Sequence, residues 1–391
     1  MSLLVLPLIL LFNTPSLAHA GFFDLTDVED PFALFWNLPI HQKLTQCSID
    51  GQNRHGVCLE KNKCLLSGGT PTSTRCNFFS TCCSYETNCV RTSDKKQGFF
   101  QSGNLNLHTR IPECTYTIKL RNRNVCQVRL DFEELTLSPA VMHDPMSETR
   151  FYSCINDVLN IKPNYHKIPQ LCGNNTRQHL YVHLDQNVNP VQAVTISINL
   201  AKRSNSAAEQ LPHPRWKIKF TQLECPVKKQ HKFDLISKSP PGALQYFTEP
   251  TGSFWSFGYD LSPNQFSYPY DEHYTIAFKR SLGSCGVKFT ANYLNIANVD
   301  TSQCADYLFI PEYVPQDATT DLVVEGKSSG KVCYSDILNT PITFYSATPG
   351  PFYVNFKAKS YIPLSMAADD KLGFYIDYEI LPTSRCPFID N

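Results

Sequence analysis

The chain has 391 residues, and its 35 Lys and Arg balance its 35 Asp and Glu, so its net charge is zero at pH 7. This balance excludes an electrostatic case for nucleic acid or an anionic membrane as the main partner. The 16 cysteines do not form repeated C-x-x-C pairs, which favours disulfides in an oxidising compartment over zinc. The length suits two or three domains.

Residues 1–20 have the pattern of a signal peptide, with an apolar run over 3–11 and the small-residue cleavage signal Ala18-His19-Ala20. No later segment has the ~20 unbroken apolar residues of a membrane helix. We therefore expect a secreted, extracellular protein without a membrane span. Residues 21–46 are an acidic and aromatic extension, either a pro-segment or an arm on the folded body.

Residues 47–83 form a small cysteine-rich module, which is too short to bury much core and so needs disulfides. Its cysteine order, which ends in the doubled Cys82-Cys83, resembles the clip domain of arthropod serine proteases and their homologues. That resemblance implies the following pairs: Cys47–Cys82, Cys58–Cys76 and Cys64–Cys83.

The stretch 114–137 alternates apolar and polar residues, which predicts two strands with one buried face each. The polar loop 121–124 between them predicts a hairpin-like return. Leu135 and Leu137 continue the alternation out of phase, as expected after a β-bulge.

Two β-rich blocks follow the module and look like divergent copies of one domain. The spacing from Cys172 to Cys225 equals that from Cys333 to Cys386. Four segments also correspond: VCQVRLDFEEL with SCGVKFTANYL, CINDVLNI with CADYLFI, HLYVHL with FYVNF, and WKIKFTQLEC with FYIDYEILPTSRC.

This pattern resembles the CUB domain of extracellular proteins. The residues that carry the resemblance are Cys154-x-x-Asp157 with Val158-Leu159, Leu171-Cys172-Gly173, and Leu180-x-Val182-x-Leu184. The resemblance implies an all-β protein with two antiparallel β-sandwiches of the jelly-roll type. We place the first CUB-like domain at 89–225, a linker at 226–238 and the second domain at 239–386. The whole layout is similar to arthropod secreted proteins with a cysteine-rich N-terminus before paired CUB domains.

The repeat, together with this resemblance, predicts the remaining disulfides. They are Cys89–Cys114, Cys126–Cys225 and Cys154–Cys172 in the first block, and Cys285–Cys386 and Cys304–Cys333 in the second. The second block lacks the first pair, and by position Ala243 and Ala277 stand where those cysteines are expected.

No catalytic constellation is evident. His179 and His183 have a spacing that binds zinc on a helix, but the alternation of Leu180, Val182 and Leu184 predicts a strand, on which the two side chains lie ~13 Å apart. Glu133 and Glu134 are adjacent on a strand and are expected to point to opposite faces. We expect no enzyme and no firm cofactor or metal.

Calcium in the first block is an alternative that the CUB resemblance implies, since many CUB domains bind it through a Glu, the C-x-x-D aspartate and a later Asp. Asp157 is retained, but counting along the strands puts Ser138 and Asn187 at the other two positions. The candidate substitutes are Glu134, Asp185 and Asp144. In the second block Asp306 is followed by Lys359 at the later acidic position, which disfavours calcium.

Two surface features are predicted. Asn174-Asn175-Thr176 is an N-glycosylation sequon at a plausible exposed site. The loop 201–214, with Lys202-Arg203 and small polar residues, is expected to be mobile and open to proteolysis.

These features favour a secreted, non-enzymatic protein-binding or adaptor protein, with an extracellular protein partner such as a serine protease or protease homologue in a proteolytic or immune pathway. One alternative is a structural component of extracellular matrix, cuticle or egg coat. Another is a protease inhibitor or regulator that acts through residues 47–83.

Overall fold

The computed structural model describes residues 46–49, 54–66, 70–84, 90–102, 113–143, 147, 149–185, 190–203, 210–225, 238–260, 267–300, 303–315, 323–324, 330–333, 341–358, 361 and 372–387. Residues 46–391 form one compact unit. The predictions for residues 1–45, Cys89, Asp144, Asn187, Lys359 and most of the linker 226–238 lie outside the described residues. No helix among the described residues is long and apolar enough to cross a bilayer.

The cysteine-rich module contains an antiparallel four-stranded sheet in the order β1-β2-β4-β3 and one short helix. Its elements are β1 (Gln46–Ile49), β2 (Arg54–Glu60), α1 (Lys61–Leu66), β3 (Thr70–Arg75) and β4 (Ser80–Ser84).

The first repeat is a sandwich of two four-stranded sheets, in the orders β11-β13-β7-β5 and β12-β8-β14-β6, with a small β9-β10 ribbon. Its strands are β5 (Val90–Ser93), β6 (Gln97–Gln101), β7 (Glu113–Lys119), β8 (Val125–Thr136), β9 (Val141–His143), β10 (Phe151–Ser153), β11 (Val158–Lys162), β12 (His179–His183), β13 (Ala193–Asn199) and β14 (Arg215–Glu224).

The second repeat has a six-stranded sheet, β15-β17-β26-β21-β24-β23, and a five-stranded sheet, β16-β27-β18-β25-β22, with a β19-β20 ribbon. Its strands are β15 (Ala243–Phe247), β16 (Thr251–Trp255), β17 (Glu272–Phe278), β18 (Ser284–Asn295), β19 (Asn298–Asp300), β20 (Gln303–Cys304), β21 (Tyr307–Phe309), β22 (Tyr313–Pro315), β23 (Val323–Val324), β24 (Lys331–Cys333), β25 (Ile342–Ser346), β26 (Phe352–Ala358) and β27 (Gly373–Pro382), followed by a 3₁₀ turn (Thr383–Arg385).

The all-β class is confirmed, and the two repeats share one topology. The order β11-β13-β7-β5 matches β21-β26-β17-β15, and β12-β8-β14-β6 matches β25-β18-β27-β16. In both repeats the first strand pairs parallel with the third, whereas the other pairs are antiparallel. One sequence correspondence is therefore wrong: HLYVHL contains β12, whose counterpart is β25, while FYVNF opens β26, the counterpart of β13.

The predicted hairpin at 121–124 is also wrong. Both strands exist, with the expected alternating burial, but β7 pairs with β13 and β5, while β8 pairs with β12 and β14. The loop is a corner between the two sheets of the sandwich. Alternation identifies the buried face of a strand but not its hydrogen-bonded neighbour, so the pattern fits a corner between sheets as well as it fits the predicted hairpin.

The predicted bulge in β8 is confirmed, and it changes the interpretation of the adjacent glutamates. The register shifts where Lys217 pairs with Glu134 and Ile218 with Phe132, which leaves Glu133 as the extra residue. Lys217 binds Glu133 at 2.5 Å and Arg215 binds Glu134 at 3.3 Å. Because Arg215 and Lys217 lie on one face of β14, both glutamates point outward, contrary to the expected opposition.

Seven disulfides lie within the described residues, and each is a pair named above. They are Cys47–Cys82, Cys58–Cys76, Cys64–Cys83, Cys126–Cys225, Cys154–Cys172, Cys285–Cys386 and Cys304–Cys333. Cys114 is also disulfide-bonded, while Cys89 lies outside the described residues. The two long links join the start of β8 to the residue after β14 and the start of β18 to the residue after the 3₁₀ turn that follows β27, which closes each sandwich.

Candidate functional site at the junction of the repeats

Strand β12 is buried along its whole length, which an outer strand of a sandwich ordinarily is not. Leu180 and Val182 face the core of the first repeat, as their alternation predicted. The opposite face, with His179, Tyr181 and His183, lies against β15 of the second repeat, so that the two repeats pack directly on one another. We call this contact of β12 with β15 the junction of the repeats.

The two histidines hold the junction through complementary hydrogen bonds. Nε2 of His179 accepts from the backbone N–H of Tyr246 at 2.9 Å. The rings of His179 and Phe247 pack edge to face, with their centroids 4.9 Å apart. His183 lies 2.7 Å from the carbonyl oxygen of Ala243 through Nε2, and its Nδ1 lies 3.2 Å from Nε2 of Gln127. These partners assign a neutral ring to each histidine, with His183 donating from Nε2 and accepting at Nδ1.

Both histidines resist protonation. Burial lowers the pKa of His179 to about 3, and the nearby Arg129 guanidinium acts in the same direction. Burial also lowers the pKa of His183, with the bond to Ala243 opposing it and His166 and Lys238 adding to it. The strand prediction for this segment is confirmed, and both rings serve the junction rather than a metal.

Amides continue the junction on both sides of the histidines. Gln127 exchanges two hydrogen bonds with the backbone of Ser239, at 2.8 and 3.0 Å. Gln245 donates to Gln178 at 3.0 Å, and Asn175 accepts from the N–H of Gly258 at 2.8 Å. These are buried bonds, and leaving one member unpaired costs about 1–3 kcal/mol, so they fix the register of one repeat against the other.

Two glycines bring the backbones together at the same junction. Both have positive φ, +71° for Gly173 and +75° for Gly258. A Cβ on Gly173 would lie 3.1 Å from the Cα of Gly258. The glycine that the CUB resemblance singled out at position 173 therefore also serves the contact with the second repeat, which the sequence pattern did not reveal.

Asp157 anchors a separate buried cluster at one end of the first repeat. Its Oδ1 accepts from the N–H of Ala201 at 3.0 Å and from Arg203 at 2.7 Å, and its Oδ2 accepts from Arg203 at 2.6 Å. Ser138 adds bonds to Oδ2 from its N–H at 3.0 Å and its hydroxyl at 2.6 Å. Burial raises the pKa of Asp157, but the bonds from Arg203, Ser138 and Ala201 outweigh it and lower that pKa.

This cluster does not fit calcium. Both oxygens of Asp157 are used, and the guanidinium of Arg203 lies where the cation would bind. Glu134 pairs with Arg215 on the surface, and Asp185 is exposed, so neither joins Asp157. In the described part of the chain, a candidate metal-binding group of three side chains occurs only at Cys47, Cys58 and Cys76, which are in disulfides.

The sequence placed the later acidic position of the calcium site at Asn187, two residues after Asp185, by assuming that β12 corresponds to β26. The counterpart of β26 is β13, which ends just before the segment that carries Ala201 and Arg203. The expectation of an open loop is wrong at Arg203, which is buried and bonds to Asp157, Ser138 and the carbonyl oxygen of Pro212, whereas the neighbouring Lys202 is exposed.

The second repeat buries a carboxyl group that the sequence analysis missed. Glu272 aligns with Cys114, since CTYTIKL and EHYTIAF occupy the same positions of β7 and β17. This corrects the placement of the missing cysteine at Ala277. Neither oxygen of Glu272 has a hydrogen-bond partner among the described residues. Burial and the nearby Asp306, which accepts from the Tyr268 hydroxyl at 3.1 Å, raise the pKa of Glu272 well above its usual range.

Replacing Glu272 by Met is expected to stabilise the protein by about 1–3 kcal/mol at pH 7, because it removes two buried unpaired oxygens at similar volume. Because the pKa of Glu272 is raised in the folded state, the wild-type protein loses stability as the pH rises above about 4.5, the ordinary pKa of a glutamate. The gain measured by urea unfolding should therefore be larger at pH 7 than at pH 4.5. The exposed Glu249→Met is the control, and a destabilised Glu272→Met would reveal an undetected partner of the carboxylate.

Asn174 lies beside the junction and is half-buried rather than fully open. Its Oδ1 accepts from the N–H of Thr176 at 3.1 Å, and the Thr176 hydroxyl accepts from Leu135 at 3.1 Å. Glycosylation of Asn174 stays a prediction.

Residues 240–381 match the family model described as the animal CUB domain. The chain therefore contains a CUB domain, which is its second repeat, and the first repeat shares its strand order. No curated protein matches the chain. Among solved structures it is similar to the CUB1-EGF-CUB2 domain of human MASP-1/3, with 13% identity over 73% of this chain and 100% of that chain and a TM-score of 0.21. A likeness this loose carries no inference about function.

Proposed function

We propose that this protein is a secreted, non-enzymatic adaptor that binds other extracellular proteins through its two CUB-like repeats. The observation that carries the proposal is the buried polar junction around His179 and His183. It holds the surfaces of two repeats in one fixed arrangement, and such preorganisation lowers the entropic cost of binding a protein partner. The CUB match of the second repeat supports the same mode of action, since CUB domains mostly recognise proteins.

The polar clusters that resembled sites of chemistry have structural roles instead. His179 and His183 are neutral and bonded across the junction, Asp157 is neutralised by Arg203, and Glu133 and Glu134 pair with surface cations. Each of these groups already has a partner in the folded chain, which supports a binding protein over an enzyme.

The partner that we propose is a serine protease or a protease homologue. This rests on the clip-like order of cysteines in residues 47–83 and on its three disulfides, because clip modules accompany protease cascades. The pathway that this implies is extracellular proteolysis or immunity.

The test uses the full secreted chain as bait in extracellular fluid of its source, followed by binding of each purified captured protein to the bait on a sensor surface. We expect a protease or protease homologue that binds with micromolar or better affinity, with no loss when EGTA is added, since Asp157 is occupied. The reduced and alkylated chain is the control.

Three results would oppose the proposal. Retention of the protein in insoluble matrix with no soluble partner would favour a structural component of matrix, cuticle or egg coat. Stoichiometric loss of protease activity on mixing would favour an inhibitor. A partner that dissociates with EGTA would contradict the expected calcium-independent binding and would place the ion on the partner, at the interface or at another site of this chain.

A further inference from the structure

The turn between β3 and β4 of the cysteine-rich module exposes two adjacent phenylalanines. Phe78 is 90% exposed and Phe79 is 85% exposed, and their ring centroids lie 5.9 Å apart. Single exposed apolar residues are ordinary, as Leu282 shows in the second repeat. Two neighbouring aromatic rings at the tip of a turn form a continuous apolar projection, which is the kind of surface that marks a binding site.

The turn that carries the rings is held by its own hydrogen bonds. Oδ1 of Asn77 accepts from the N–H groups of Phe79 at 2.9 Å and Ser80 at 2.7 Å. The carbonyl oxygen of Ser80 accepts from the N–H groups of Cys76 at 3.0 Å and Asn77 at 3.3 Å. The exposed rings are thus displayed on an ordered backbone, so little backbone freedom remains to be lost on binding.

Disulfides and threonines fix the base of the same turn. Cys76 is joined to Cys58, and Cys82 is joined to Cys47. Across the strands, the Thr81 hydroxyl donates to the carbonyl oxygen of Thr72 at 2.6 Å. The rings contribute nothing to the core that these links stabilise, because both lie outside it. We infer that Phe78 and Phe79 form the docking tip of the module and insert into an apolar pocket of the protein partner.

The charges near the tip define the rim of that pocket. The exposed Arg75 precedes the turn, and the described residues of the module carry four cations, Arg54, Lys61, Lys63 and Arg75, against one carboxylate, Glu60. A pocket rimmed by Asp or Glu side chains complements this charge. A lipid surface is the weaker match, since stable membrane binding takes a cluster of several basic residues beside the apolar anchor.

The shape of the turn also separates this tip from an inhibitory loop. A loop that occupies a protease cleft as a substrate does must lie extended so that it can pair as a strand. Here the N–H groups of Cys76 and Asn77 are bonded back to Ser80, so the chain around Phe78 is folded on itself. The tip therefore fits a pocket away from a protease active site.

The inference rests on the proposed adaptor function, and its test separates the two. p-Benzoylphenylalanine in place of Phe78 in the full secreted chain is irradiated in extracellular fluid, and the cross-linked peptide is sequenced. The purified cross-linked protein is then titrated against the wild-type chain, Phe78→Ser/Phe79→Ser, and Leu282→Ser as the matched control. Vesicles with 30% phosphatidylserine are tested in parallel.

We expect the double variant to bind the partner about 100-fold more weakly, with Leu282→Ser unchanged, because two buried aromatic anchors of this size each contribute about tenfold or more. The cross-linked peptide should be apolar with acidic neighbours. A partner that binds the double variant as tightly as wild type would overturn the docking tip but leave the adaptor function intact. Absence of any partner would overturn both, and Phe-dependent binding to vesicles alone would replace the protein pocket by a lipid surface.

Discussion

Replacing Asp157 by Ala is expected to lower the free energy of unfolding by about 3–5 kcal/mol, because it leaves the buried guanidinium of Arg203 without its counter-charge. The same change also leaves the N–H groups of Ser138 and Ala201 unpaired. Urea unfolding at pH 7 measures the loss. A cost below about 1 kcal/mol would show that the pair does not stabilise the loops at this end of the first repeat.

A double-mutant cycle distinguishes the pair from its parts. Arg203→Met alone should cost nearly as much as Asp157→Ala, since it leaves a buried carboxylate without its counter-charge, whereas Asp157→Ala with Arg203→Met should cost clearly less than the sum of these two single changes. Lys202→Met, at the exposed cation next to Arg203, is the matched control for loss of positive charge.

The pH dependence of this pair follows from its depressed carboxyl pKa. Asp157 contributes stability that is present above the ordinary aspartate pKa near 4 and is lost as the pH falls through its lower value in the folded protein. Wild-type stability should therefore decline below about pH 4 more steeply than that of Asp157→Asn. Added calcium should leave the Tm of the wild-type protein unchanged, and an increase would contradict the assignment of Arg203 as the partner.

The sequence identified the features that depend on local pattern or on covalent pairing. Alternation predicted β7 and β8 and a bulge before Leu135, which the register then located at Glu133, and the cysteine repeat named the pairs that close both sandwiches. It did not identify which strands are neighbours, because an alternating strand has the same pattern in either sheet of a sandwich. The predicted hairpin at 121–124 and the matching of β12 with β26 are wrong for that reason. The candidate calcium ligands that were counted from the end of β12 are misplaced as a consequence.

The junction was beyond sequence reasoning for a different reason. Strand β12 is buried on both faces and carries His179, Tyr181 and His183 on its outer side, where such residues resemble an ordinary solvent-exposed face. Only the contact with β15 distinguishes the two cases.

The buried carboxyl group of Glu272 had a weak signal in the sequence. The alignment of EHYTIAF with CTYTIKL places this carboxyl at a core position, but its significance depends on burial that the sequence does not state.

Acidification is expected to loosen the junction of the repeats, with His179 as the main cause. Its pKa is lowered to about 3 in the folded protein, against about 6.5 when exposed. A lowered histidine pKa gives stability that is fully present above pH 6.5 and declines as the pH falls, because the open state takes up the proton first. At pH 5 the loss from His179 is about 2 kcal/mol at ~1.4 kcal/mol per pH unit, and His183 adds to it in the same direction.

The charged and titratable groups around the two rings support this direction. They are Arg129, Asp131 and Tyr181 on the first repeat, His166 on the loop after β11, and Lys238 and Tyr246 on the side of the second repeat. The cations oppose protonation of the rings, and Asp131 is already bonded to Arg129 at 2.7 Å, so no free carboxylate among these groups compensates a new positive charge.

Hydrogen exchange of the amides of β12 and β15 at pH 7.5 and pH 5.0 measures the effect, corrected for the intrinsic pH dependence of exchange. We expect the protection of these two strands to fall about 30-fold or more, while the core strands β8 and β18 change less. His179→Gln/His183→Gln keeps an acceptor for Tyr246 and a donor for Ala243 without a titrating group, so it should abolish the pH dependence, and the exposed His213→Gln should not. Unchanged acid sensitivity in the double variant would show that another group controls the junction.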